Sequence, residues 1–163
     1  MANAYTPKNQ VIVDSYKADF IAHNFTDEEA EKAAVALMRI RDGLKSSNED
    51  KTSRNIKALK DILVAKGYAE VDAAETIKAI IKEKLAAEFA KAAAKHEAKQ
   101  LEDIEYVKKE KIGSVFNTVL DYDGYLKMTS EERKEHWLDF LVRTSNISKD
   151  EVEKMMAALS ELK

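Results

Sequence analysis

The chain has 163 residues and no cysteine, which suffices for one medium domain or two small lobes and excludes disulfide frameworks, thiolate zinc sites and thiol nucleophiles. One proline, four glycines and 35% charged residues exclude a turn-rich β protein, and abundant Ala, Glu, Lys and Leu point to an all-α fold. The formal net charge is −3, but it is uneven: Lys+Arg against Asp+Glu runs 6 to 9 over residues 1–50, 11 to 7 over 51–99 and 10 to 14 over 100–163, a basic middle between acidic ends.

In chain order, Thr6 before Pro7 reads as an N-cap with proline at the first helical position. The helix it opens carries Val13, Tyr16 and Phe20 on one face and ends near His23 or Asn24. Thr26-Asp27-Glu28-Glu29 is a capping box, in which the threonine oxygen and the glutamate each satisfy an orphan N–H of the other's residue. Its helix has Ala30, Ala33, Leu37, Ile40 and Leu44 at alternating steps of three and four, too short a repeat for a coiled coil and so a face packed within the domain. Ser46-Ser47-Asn48 caps a third helix with Ile56, Leu59 and Leu63 inward and Gly67 as its left-handed terminator.

Asp72 with Glu75 is a further capping pattern, and no residue forbids one helix from 73 to 111, so the sequence leaves open whether this segment is continuous or broken. At 1.5 Å per residue it would run roughly 58 Å, against about 40 Å for the diameter of a compact chain of this length. The stripe through Ile77, Ile81, Leu85 and Ala92 also lies roughly 140° from the stripe through Leu101, Ile104 and Val107. An organisational boundary is therefore expected in the Ala/Lys-rich stretch 93–100, which has little to bury. Beyond it, Ser114 caps a short helix through Val119 and Leu120. Capping boxes at Thr129–Glu132 and Ser148–Glu151 then start helices bearing Trp137, Phe140 and Leu141, and Met155, Met156 and Leu159.

The segment Asp121-Tyr-Asp-Gly-Tyr-Leu-Lys-Met-Thr-Ser-Glu-Glu132 is similar to the calcium loop of EF-hand proteins. The resemblance implies Asp121, Asp123, Thr129 and Glu132 as oxygen ligands at loop positions 1, 3, 9 and 12. It breaks at Tyr125, where an oxygen donor is usual, and at Leu126, where glycine makes the turn. Glu132, His136 and Asp139 share a helix face that presents metal-ligand types, but such a face is ordinarily solvated. No catalytic His motif and no glycine-rich phosphate loop is present, so neither an enzyme nor a cofactor is expected.

Two positive ridges remain. Lys51, Arg54, Lys57 and Lys60 recur at steps of three, and Lys91, Lys95 and Lys99 at steps of four; each suits an acidic protein surface, whether on a partner or on the acidic ends of this chain or of a second copy. Nucleic acid is the lesser expectation, because glutamates are interspersed and no aromatics interleave for stacking. Trp137, Met155 and Met156 suit either a core or an adaptable groove. The sequence has no basic region followed by an apolar run at its N-terminus and no stretch of about 18 apolar residues, so a cytoplasmic protein off the membrane is expected. The reading is an irregular bundle of six to seven helices in two lobes, 1–92 and 101–163, joined through a helical connector at 93–100. Its expected role is non-enzymatic protein–protein interaction, as an adaptor, regulator or assembly component; nucleic-acid association through 51–99 and calcium binding are the alternatives.

Overall fold

The computed structural model describes residues 5–109 and 122–143, and among them it contains seven α-helices and no strand. They are α1 Pro7–Ala22, α2 Asp27–Lys45, α3 Glu49–Ala65, α4 Glu70–Lys84, α5 Ala86–Lys109, α6 Tyr122–Lys127 and α7 Ser130–Arg143. The protein is an all-α multi-helix bundle. Among the described residues no helix is long and apolar enough to cross a membrane.

The expected starts of the first three helices are present. Thr6 Oγ1 accepts from the Asn9 N–H, the Thr26–Glu29 capping box closes in both directions, and Asn48 Oδ1 accepts from the Lys51 N–H. The ends share one device. After α1 the Phe25 N–H bonds the Phe20 carbonyl and the Asn24 N–H that of Ile21; after α2 Asn48 bonds Gly43 and Ser47 bonds Leu44; after α3 Tyr68 bonds Leu63 and Gly67 bonds Val64. These paired closures are Schellman motifs, which need a left-handed residue at their centre. Asn24 (φ 65°), Ser47 (φ 53°) and Gly67 (φ 112°) supply it. Ser47 does so against the ordinary cost of a side chain there, about 1 kcal/mol.

Helix α2 is the axle of the bundle. It packs most extensively against α1 and α3 and buries Ala30, Ala33, Ala34, Leu37, Met38, Ile40 and Leu44. Its alanines let neighbours approach, and at Gly43 the approach is closest: a Cβ built there would lie 2.4 Å from Thr52 Oγ1 and 2.9 Å from the Thr52 backbone nitrogen. The α2–α3 crossing thus requires glycine at this point.

Helix α4 begins at Glu70 behind Ala69, with no side-chain cap, so the Asp72–Glu75 pattern does not mark its start. Both acids instead lie within the helix, and Glu75 accepts from Lys78 at 3.1 Å. The long segment breaks at Leu85 (φ −120°, ψ 23°) rather than within 93–100. No proline or glycine causes it. Leu85 is fully buried, and its N–H still reaches Ile81 while its carbonyl accepts from Phe89, so Leu85 serves both helices at the kink, which turns both halves onto the core. The remaining 24-residue α5 is roughly 36 Å long, against about 40 Å for the diameter of a compact chain of this length.

Of the expected second lobe, the end of α5, α6 and α7 are described, and among the described residues α7 does not form a core apart from the first lobe. Trp137, Leu138, Leu141 and Val142 belong to the same buried cluster as Leu37, Ile56, Ile77 and Leu85, and α7 packs on α3, α4 and α5. The core therefore crosses the expected boundary at 93–100, where Ala92 and Ala93 are themselves buried. Charge directs the docking. Lys78 of α4 pairs with Asp139, Lys82 with Glu135 at 2.8 Å, and Arg133 with Glu97 of α5 at 3.0 Å. The basic middle does meet acids of the C-terminal part, through Lys78 and Lys82 rather than through either lysine ridge. Ser114, Ser148 and the expected last helix lie outside the described residues.

This docking titrates. Hydrogen bonding to Ser130 and Arg133 holds the Glu97 carboxyl below the usual carboxylate range, and Lys78 does the same for Asp139. A carboxyl depressed by folding contributes stability above its unfolded value, about 4, and that contribution disappears as pH falls through the folded value. Urea unfolding midpoints are therefore expected to be similar at pH 7 and pH 5 and to drop by pH 3. The part-buried Glu97–Arg133 pair accounts for about 1–2 kcal/mol of that loss. E97Q is expected to shrink the drop, and an equal drop in E97Q would show that the pair is not its source.

Candidate functional site

A cleft of about 590 Å³ opens between the α2–α3 turn and α5, lined by Ser46 to Asp50 on one wall and by Lys95, His96, Lys99 and Gln100 on the other, with Trp137 of α7 at its base. The two walls are fixed independently. The Schellman closure at Ser47 and the Asn48 cap set the first, and the kink at Leu85 aims α5 to form the second.

At the base, three rings stack. The Phe89 and Trp137 centroids are 5.7 Å apart with planes 14° from parallel, and His96 lies on Trp137 at 4.7 Å and 18°. Trp137 is 5% exposed and His96 is mostly covered. The outward-facing group is the His96–Glu49 pair, with Nδ1 2.8 Å from Oε1; the imidazole N–H donates to the carboxylate. That bond holds the Glu49 carboxyl below its usual range, with Lys99 and the Trp137 indole N–H adding to the effect. The indole N–H is directed at Glu49 and adds to holding its carboxyl low, although the contact falls short of full hydrogen-bond geometry.

The structure separates the residues that the sequence grouped. Lys95 and Lys99 line the cleft, and both are exposed. Neither forms an ion pair or hydrogen bond among the described residues. Lys91 is exposed on the same helix, outside the cleft lining. The other ridge does not form one positive surface: Lys57 is paired to Asp61 at 3.1 Å, Arg54 donates to the Asp50 carbonyl, Lys60 is 8% exposed and Lys51 is half-buried. Trp137 is core and cleft floor rather than an exposed anchor, and Met155 and Met156 lie outside the described residues.

The calcium-loop look-alike is built differently from a metal loop. Asp123 lies in α6, a helical turn instead of an open loop; Asp121 lies outside the described residues. Glu132 Oε2 accepts from the Thr129 N–H at 2.7 Å and Thr129 Oγ1 accepts from the Glu132 N–H at 3.2 Å, so both are occupied as a capping box. The carbonyls of Tyr125 and Leu126 accept from the Arg133 guanidinium, which also lies over the Tyr125 ring. A guanidinium thus takes the carbonyl oxygens of this turn. On the α7 face, Asp139 is taken by Lys78, and among the described residues no three His, Asp or Glu side chains converge to hold a metal ion.

Glu49 and His96 escaped the sequence reading because they are 47 residues apart and neither belongs to a motif. His96 reads there as a surface residue of a helical spacer. No family model, curated protein or solved structure matches the chain, so what the cleft does is argued from its own geometry.

Proposed function

We propose that the protein is a non-enzymatic adaptor, regulatory or assembly component of the cytoplasm, and that it engages a partner protein through the cleft between the α2–α3 turn and α5. The observation that carries this reading is the pair of exposed cations, Lys95 and Lys99, that line a preformed cleft and have no acidic partner among the described residues. Several other lysines, at positions 17, 66, 78, 82, 84 and 134, are matched with acids, and Lys95 and Lys99 are set apart from the remaining lysines by lining the cleft together. Unmatched charge beside a concave, aromatic-floored surface suits recognition, where complementary charge supplies encounter rate and register.

Nucleic acid is the weaker reading, because the 51–60 ridge is partly paired and partly buried. The test is affinity capture from the native host, with wild-type chain and the K95E/K99E variant compared and scored for protein and nucleic acid together. A defined protein retained by the wild type and lost from a folded K95E/K99E supports the proposal. Retention by both variants places the contact elsewhere, and a nucleic acid lost steeply with salt favours the alternative.

A further inference from the structure

We infer that the cleft recognises a carboxylate carried by a segment of the partner protein, and that Glu49 is a resident carboxylate which that segment displaces. This rests on the reading of the cleft as the partner site and names the chemistry it takes.

The donors converge on one place. His96 Nδ1 already holds a carboxylate oxygen at 2.8 Å. The Trp137 indole N–H, in a side chain 95% buried, is directed at the same carboxylate and helps hold it low, without the geometry of a full hydrogen bond. Lys99 acts on that carboxylate through space, and Lys95 lies one helical turn away on the same wall. Imidazole, indole N–H and two ammonium groups form a donor set for an anion with two oxygens, since one hydrogen-bonded oxygen leaves the other for a second donor. Glu49 fills this set incompletely: its side chain is 50% exposed, and its contact with the indole N–H falls short of full hydrogen-bond geometry. A carboxylate arriving from the open side, free of the constraint of the first turn of α3, can meet His96 and the indole together while the lysines hold its flanking acids.

The acidic wall gives the site its selectivity. Asp50 and Glu49 stand opposite the lysines, and a peptide brings backbone N–H donors that these acids can accept, which an inorganic anion lacks. A displaced Glu49 is fully exposed to water at the rim, which is a low-cost position for a charged side chain. Its removal should strengthen binding instead of weakening it.

The chain has a single tryptophan, Trp137, so its emission reports on the cleft floor directly. The full chain is titrated with hexaglutamate peptide, with hexalysine and inorganic phosphate as controls, in wild type, E49Q and K95E/K99E, with circular dichroism confirming the helical fold of each. The expected result is a saturable emission change with hexaglutamate alone. Its midpoint should fall about tenfold in E49Q, the equivalent of one charge-assisted hydrogen bond no longer broken, and rise beyond reach in K95E/K99E. Should K95E/K99E not fold, K95A/K99A is expected to weaken binding at least severalfold. Three results would overturn the inference: no saturable change in either wild type or E49Q; weaker binding in E49Q; or phosphate saturating at lower concentration than the peptide, which would make this an oxyanion site. A host protein captured through Lys95 and Lys99 while hexaglutamate leaves the emission unchanged would overturn the carboxylate assignment and leave the partner cleft standing.

Discussion

Replacing Trp137 by alanine is expected to cost about 3–5 kcal/mol, a fall in melting temperature of roughly 6–20 °C for a chain of this size. Its ring is 5% exposed and is stacked between Phe89 and His96, so truncation removes two ring contacts as well as buried area. The void also lies at the junction of α5 and α7, where the supports of α7 are shared between apolar burial and the pairs formed by Lys78 and Arg133. Phenylalanine at 137 keeps an aromatic stack and removes only the indole N–H with part of the ring area, so W137F is expected to lose less than half as much. Thermal unfolding followed by circular dichroism distinguishes the two. Equal losses in both variants would mean that the indole N–H, rather than ring packing, stabilises this junction.

The second large effect is expected at Gly43. Glycine to alanine within a helix ordinarily gains up to about 1 kcal/mol, but here the added Cβ meets Thr52 Oγ1 at 2.4 Å and backbone atoms at 2.9 and 3.1 Å. A hydroxyl can rotate; a backbone nitrogen in α3 cannot move without opening the helix crossing. Overpacking of this kind costs about 1–3 kcal/mol, which exceeds the helix gain, so G43A is expected to destabilise and G43V to do so more severely. T52A removes only the hydroxyl clash and should rescue G43A in part. Because Gly43 and Thr52 also line the cleft, G43A is expected to weaken partner capture even where the bundle still folds. A G43A chain as stable as the wild type would show that α2 and α3 can separate freely.

These sites mark the limit of what the sequence makes legible. Helical class, three of the caps and the left-handed terminator Gly67 follow from local chemistry, because each depends on residues within a few positions of one another. The break at Leu85 has no local signature: the residue is a good helix former, and only the requirement that Ile81, Leu85 and Ala92 all stay buried bends the chain there. The same reasoning covers the lobes. An alanine-rich stretch reads as a spacer because alanine carries little hydrophobic signal, yet Ala92 and Ala93 are buried because α5 turns back onto the bundle. Small side chains allow close packing where a sequence pattern sees only weak amphipathicity.

The candidate site was half visible. Lys95 and Lys99 stand out as a ridge, and Trp137 as the single large aromatic of its type, but nothing in the sequence links them to Glu49. That pairing depends on the α2–α3 turn and on the direction α5 takes after Leu85, both tertiary outcomes. The calcium-like segment shows the reverse case, in which a local pattern suggests chemistry that its neighbours put to another use. Thr129 and Glu132 close a helix cap, and the Tyr125 and Leu126 carbonyls of the same turn hold Arg133.

A partner recognised through the cleft touches the wall that bears Lys95. A photo-crosslinking residue placed at position 95, with position 57 on the paired ridge of α3 as the control, reads that contact when the full chain is irradiated in its native host. A discrete protein adduct at 95 and none at 57 is the predicted result. Adducts at 57 alone, or equal and diffuse adducts at both positions, would contradict it.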